Sequence, residues 1–244
     1  TWGLIALAVS IATGGWWMGF RCAKRRVLYI DLETDPRTLQ RRISTVSGKK
    51  GADAAEVRSG LSIWPLRGQS CGLAEIRDEL FRRCKPGDFG MIVLDPAYMI
   101  QDGDENNARD IREFFALLDR ICVELDCTIV ISHHHSKGAA GKYANAADRS
   151  SGSGVFARDP DAIIDLREVK IDGFDAGYRK EFPDACETLT GWEVSSTLRE
   201  FAPMKPFRVW FDYPVHRKDD NNYLGAAKYA DSAESGRGVG DNQM

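Results

Sequence analysis

No two of the six cysteines (Cys22, Cys71, Cys84, Cys122, Cys127 and Cys186) are spaced as CxxC. That spacing supplies zinc ligand pairs, so a structural zinc site is not legible. Nor is a disulfide framework, and the thiols read as small hydrophobes in a reducing compartment, the cytoplasm. An excess of one charge is lacking too. The chain has 33 Lys and Arg against 36 Asp and Glu, and its net charge of -3 leaves no overall pull toward nucleic acid. Any such site must be a local patch. No internal repeat is visible, and 244 residues with 43% hydrophobic content suffice for one sizeable core with appendages.

Charge is also missing from residues 1–20, after which comes Arg21-Cys22-Ala23-Lys24-Arg25-Arg26. Two readings compete. One is a membrane anchor with a basic flank, which would suit a membrane-anchored hydrolase. The other is a core helix packed on a sheet. The helix-favouring run stops at Thr13-Gly14-Gly15. About a dozen helical residues rise only ~18 Å, short of a bilayer core of about 30 Å. Leu4, Ile5, Leu7, Ala8, Ile11 and Ala12 are apolar on nearly every side, as the core-helix reading requires. No membrane association is therefore expected.

Beyond Arg26 the chain alternates between strand-like and helix-like patterns. Residues 26–33, 91–96 and 127–132 are short apolar runs of strand length, with a weaker strand at Leu61–Leu66. Between them, Thr38–Val46, Leu73–Cys84 and Ala108–Asp126 carry apolar residues at helical spacing. Such alternation predicts a mostly parallel sheet with helices on both faces, an α/β fold. Strands predicted at Ala162–Val169, Gly191–Phe201 and Phe207–Tyr213 come next with short connections, an antiparallel extension. From Lys218 the chain turns polar and rich in Gly, Ser and Asp, so a core over 1–217 and a disordered tail over 218–244 are expected.

Chemistry-bearing side chains collect at strand ends, where open α/β sheets bind ligands. Glu33, Asp95 and His133 or His134 each come after an apolar strand. A carboxylate there often only caps the next helix. Together they offer one acid to orient a water, one to hold Mg2+ and one polar sensor. Phosphate-loop chemistry also needs GxxxxGK[ST], which is absent. Thr1, however, is a hydroxyl at the head of an apolar helix whose next strand leads to Glu33. That is the place of the last residue of such a loop, so the sequence reads as cut inside the motif.

In their order, Val27-Leu28-Tyr29-Ile30-Asp31-Leu32-Glu33, Ile92-Val93-Leu94-Asp95-Pro96, Gly103-Asp104-Glu105-Asn106-Asn107-Ala108, His133-His134-His135-Ser136-Lys137-Gly138 and Ser151-Gly152-Ser153-Gly154-Val155-Phe156-Ala157-Arg158-Asp159 resemble a known family. It is the RecA-like AAA-type P-loop ATPases related to the hexameric plasmid replicative helicase RepA, and the resemblance spans roughly residues 1–217. It implies ATP and Mg2+ as ligands, Thr1 as the Mg2+-binding hydroxyl and Asp95 as the second Mg2+-binding acid. It also implies Glu33 as the catalytic glutamate and His134, or else His133, as the γ-phosphate sensor. Single-stranded DNA and a hexameric ring are the implied partners. Because the Gly-Lys of the loop is absent, this chain by itself is expected to hydrolyse ATP negligibly.

Alternatives stand beside these roles. His133-His134-His135 could be a metal site, but successive strand residues point to opposite faces, and three or four ligands are not at hand. It could also be an exposed turn. Residues 137–154 read either as a plain loop or as a nucleic-acid loop in which Lys137, Lys142 and Arg149 meet phosphates. Arg158 or Arg149 could act on a neighbouring subunit's γ-phosphate, while Arg25, Arg26, Arg41 and Arg42 read as a solvated face. Two function classes remain. One is an ATP-driven motor or switch on DNA; the other is a nucleotide- or DNA-binding accessory module that does not translocate.

Overall fold

Val27-Leu28-Tyr29-Ile30 and Met91-Ile92-Val93-Leu94 have no polar interruption, which suits strands covered on both faces rather than one. The structure is a computed structural model that describes residues 1–69, 71–100, 107–132 and 159–230. In chain order it contains α1 (Trp2–Thr13), β1 (Trp16–Trp17), β2 (Phe20–Arg21), β3 (Val27–Asp31), α2 (Pro36–Lys49), α3 (Ala54–Gly60) and β4 (Leu61–Pro65). Next come α4 (Leu73–Arg83), β5 (Met91–Asp95), α5 (Ala108–Leu125) and β6 (Thr128–Ile131). The remaining elements are β7 (Ala162–Val169), α6 (Asp175–Glu181), β8 (Thr190–Leu198), β9 (Phe207–Asp212) and β10 (Val215–Lys218).

β4, β3, β5 and β6 lie side by side in that order, all parallel, with Asp31 opposite Asp95. Period-two alternation divides the side chains between two cores. Val27, Tyr29, Leu61, Met91 and Val93 pack with Ile5, Ala8 and Val9 of α1, with Leu39, Ile43 and Val46 of α2, and with Val57 of α3. Leu28, Ile30, Ile92 and Leu94 pack on the other side with Leu73, Ile76 and Leu80 of α4 and with Ile111, Phe114, Leu118 and Ile121 of α5. Helices on both faces of a parallel sheet are the expected α/β architecture.

α1 is the core helix rather than the anchor: Ile5, Ala8 and Val9 are fully buried inside the protein. Among the described residues no helix is long and apolar enough to cross a membrane. Gly14 ends it in the left-handed conformation (φ 72°), with the cap N–H groups returning to Ile11 and Ser10.

The second sheet is antiparallel, ordered β10-β9-β8-β7. Tyr178 of α6 stacks on Trp210 of β9, with centroids 4.8 Å apart. Val215 of β10 joins the core around α1, and Tyr213 meets Trp2 edge-on at 5.1 Å.

Five elements depart from the sequence expectations. The β1–β2 hairpin turns through Met18 (φ 47°) and Gly19 (φ 88°), a two-residue turn with both φ positive. Methionine is not a usual residue there, so the turn gave no signal. α3 and α6 have seven residues each, too short for a helical period to show. β10 pairs with β9 across a turn at Tyr213-Pro214.

The tail expectation also needs correction. Asp219 accepts hydrogen bonds from Trp210 Nε1 (3.1 Å) and from the backbone of Tyr223 and Leu224. Leu224 and Ala227 are buried beneath the second sheet. Residues 219–230 are therefore part of the packed protein, and 231–244 lie outside the described residues.

Candidate functional site

Parallel strands that start level also finish level, so the register of β3, β5 and β6 brings their last residues together. The strand ends are locked by backbone bonds: Leu32 N–H to Asp95 O (3.0 Å), Leu66 N–H to Asp31 O (2.7 Å), and Ser132 N–H to Leu94 O (3.3 Å). Tyr29, Asp31 and Asp95 share the α1 face by alternation.

Asp95 is nearly fully buried and held on both oxygens. Tyr29 Oη donates to Oδ2 at 2.5 Å, and Ser132 Oγ donates to Oδ1 at 2.5 Å. Burial and the neighbouring Asp95 charge raise the Tyr29 hydroxyl far above the usual tyrosine range, so it stays protonated as a donor. Asp31 is as deeply buried but used differently. Its Oδ1 accepts from the backbone N–H of Thr34 (2.5 Å) and of Glu33 (3.1 Å), while Oδ2 has no hydrogen-bond partner among the described residues. Burial raises its carboxyl above the ordinary value, against the lowering effect of the Thr34 and Glu33 N–H groups. The two N–H bonds form a tight turn that fixes the backbone of Glu33.

Glu33 itself is displaced from its expected place at the strand end. β3 stops at Asp31, and Glu33 sits two residues on, exposed at the start of the connection to α2. An exposed carboxylate on a fixed turn can reach a bound molecule.

Thr1 precedes α1 as its cap residue, and its side chain makes no cap bond. The far end of the helix is pinned at the start of the sheet, since Arg25 N–H donates to Ile11 O (3.0 Å). Twelve residues then carry Thr1 ~18 Å back along the sheet. Beside the N-terminal end of α1, the Arg42 guanidinium lies 5.3 Å over the Trp2 ring. Arg42 thus leaves the solvated face expected of it. The first turn of α1 contains no acidic residue, so its unpaired N–H groups and dipole favour an anion.

The structure therefore brings together Asp95 and Glu33, while the N-terminal end of α1 that carries Thr1 lies against β10, with Trp2 beside Tyr213 and Gly3 beside His216. Tyr29, Asp31 and Ser132 join the two acids unforeseen. The alternation of β3 could have flagged Tyr29 and Asp31, but Ser132 needs the β5–β6 register. His133, His134, Lys137, Lys142, Arg149 and Arg158 lie outside the described residues. No group of three or more His, Cys, Asp or Glu able to hold a metal occurs among the described residues.

Comparison with known proteins bears on the fold and on the family. The solved structure of a KaiC-like protein from the hyperthermophilic archaeon Pyrococcus horikoshii OT3 is similar over 89% of this chain and 84% of that one, with a TM-score of 0.54. At 15% identity the likeness bears on the fold alone, which is RecA-like. Residues 1–140 match the AAA domain family, more than half of the chain, and the protein belongs to that family.

Proposed function

We propose that this chain is the core of an ATP-hydrolysing motor or switch that acts on DNA as part of a ring. The observation that carries the ATPase reading is the pairing of a buried, doubly hydrogen-bonded Asp95 with an exposed Glu33 on a fixed turn, at the sheet edge where the strands finish. The residues fit a magnesium nucleotide: Asp95 and the Thr1 hydroxyl would hold Mg2+, and the helix N-terminus suits phosphate. Bound Mg2+ supplies neutralisation of the charge that develops on the transferring phosphoryl group. Tyr29 and Ser132 orient Asp95 by donating to it. Asp31 holds the Glu33 turn, and Glu33 orients the attacking water and accepts its proton.

The DNA and ring assignments rest on the order of motifs and the resemblance they carry. Within that reading His134 senses the γ-phosphate, Arg158 or Arg149 acts across a subunit boundary, and Lys137, Lys142 and Arg149 contact single-stranded DNA.

The test is ATP turnover by the natural polypeptide that carries this sequence, with and without single-stranded DNA. Glu33→Gln is expected to lower kcat by about 10²–10⁴-fold while nucleotide binding persists. Turnover unchanged by Glu33→Gln would overturn the catalytic assignment. Turnover that DNA does not stimulate would support an accessory module instead of a motor.

A further inference from the structure

α5 ends in a left-handed cap at Asp126 (φ 49°, ψ 55°), whose N–H donates to Cys122 O. The next N–H, that of Cys127, reaches the same carbonyl at 3.2 Å. A bond spanning five residues at a helix end folds the residue after the cap back over the last turn, where the two side chains normally make an apolar contact. Here both are cysteines, and both are partly exposed. Cys127 Sγ lies 4.0 Å from Ile121 O, which keeps it over the helix end.

We propose that Cys122 and Cys127 form a thiol–disulfide exchange site, which reacts with small disulfides and closes into an intramolecular disulfide. The cap bonds from residues 126 and 127 to the Cys122 carbonyl fold Cys127 back toward Cys122, as a disulfide between them would need. Cys122 is the attacking thiol: the neighbouring Cys127 thiol holds it below the usual thiol range, while the Cys122 thiol and burial push Cys127 up. The Cys122 thiolate attacks one sulfur of the small disulfide, forming a mixed disulfide and releasing one small thiolate. Cys127, giving up its proton, then attacks the Cys122 sulfur and releases the second. Two protein thiols lose two electrons and two protons, and the small disulfide gains them as two thiols. The new bond would tie the last turn of α5 to the entry of β6, the strand that leads to Ser132. The inference stands apart from the nucleotide reading.

Oxidised glutathione is the probe. The chain is incubated with it at neutral pH, quenched with acid, alkylated and mapped by mass spectrometry. No Lys or Arg lies between Arg120 and Lys137, so tryptic cleavage leaves both cysteines in one peptide. Closure makes that peptide lighter by two hydrogens and blocks its alkylation. Cys127→Ser is expected to accumulate glutathione on Cys122, for want of a resolving thiol, and Cys84→Ser to leave closure unchanged. Two thiols in the wild-type peptide that alkylate as readily after oxidant as before would overturn the proposal. A disulfide to Cys84, or a Cys127→Ser protein that takes up no glutathione, would do so as well.

Discussion

Asp31 and Asp95 end neighbouring strands at the same level, yet their surroundings assign them different work. Asp95 accepts two hydroxyl donors, one at each oxygen, whereas Asp31 spends one oxygen on backbone N–H groups and leaves the other unpartnered among the described residues. Because the folded pKa of Asp31 is raised, ionising it costs the folded state more than the unfolded one. Its contribution is most favourable below the unfolded aspartate value of about 3.9 and is lost as pH rises through the raised folded value. Asp31→Asn keeps an oxygen for Thr34 and Glu33 and removes the charge. It is expected to raise Tm near neutral pH by about 2–4 °C, equivalent to ~1 kcal/mol, with the gain closing in acid. Thermal melts across pH check this, and a lower Tm at neutral pH would mean that the folded state uses the ionised carboxylate.

At the scale of elements, the seating of α1 decides where its N-terminus points. Its last turn lies against the junction of α3 and β4, where a Cβ on Gly60 would come within 2.7 Å of Ala12 O and 3.0 Å of Ala12 Cβ. Backbone cannot yield as a flexible side chain can, so Gly60→Ala should cost about 1–3 kcal/mol and lower Tm accordingly. Gly48, inside α2, has nothing within 4 Å of such a Cβ. Gly48→Ala should therefore be neutral or gain about 0.5–1 kcal/mol. Equal effects of the two substitutions in denaturant titrations would show that α1 is not seated as described.

The whole molecule joins a parallel sheet with helices on both faces to an antiparallel one, with α1 touching both. The second sheet is completed by residues that composition assigned to a tail. Truncation after Lys218 removes fully buried Leu224, buried Ala227 and the acceptor of the Trp210 indole. A loss of at least ~3 kcal/mol is expected from those terms. It is measurable as a lower midpoint in chemical denaturation, and an unchanged midpoint would make residues 219–230 an appendage after all.

Hydrophobic periodicity was enough for the α/β class, for β3, β5 and β6, and for α2, α4 and α5. Each of these elements is long enough or apolar enough to carry its own signal. It also marked Glu33 and Asp95, because acids just past apolar strands stand out locally. Whatever depends on contact between distant segments was not legible. The β5–β6 register brings Ser132 to Asp95, and a two-residue turn through Met18 has no local signature. Asp219 draws a polar segment into a core by accepting bonds from β9 and its own turn. The sequence by itself determined which segments become strands and helices and which of them end in acids. Only the tertiary structure decided which acid is doubly held and which holds the turn, because hydrogen-bond partners tens of residues apart in sequence become neighbours only when the sheet sets their register.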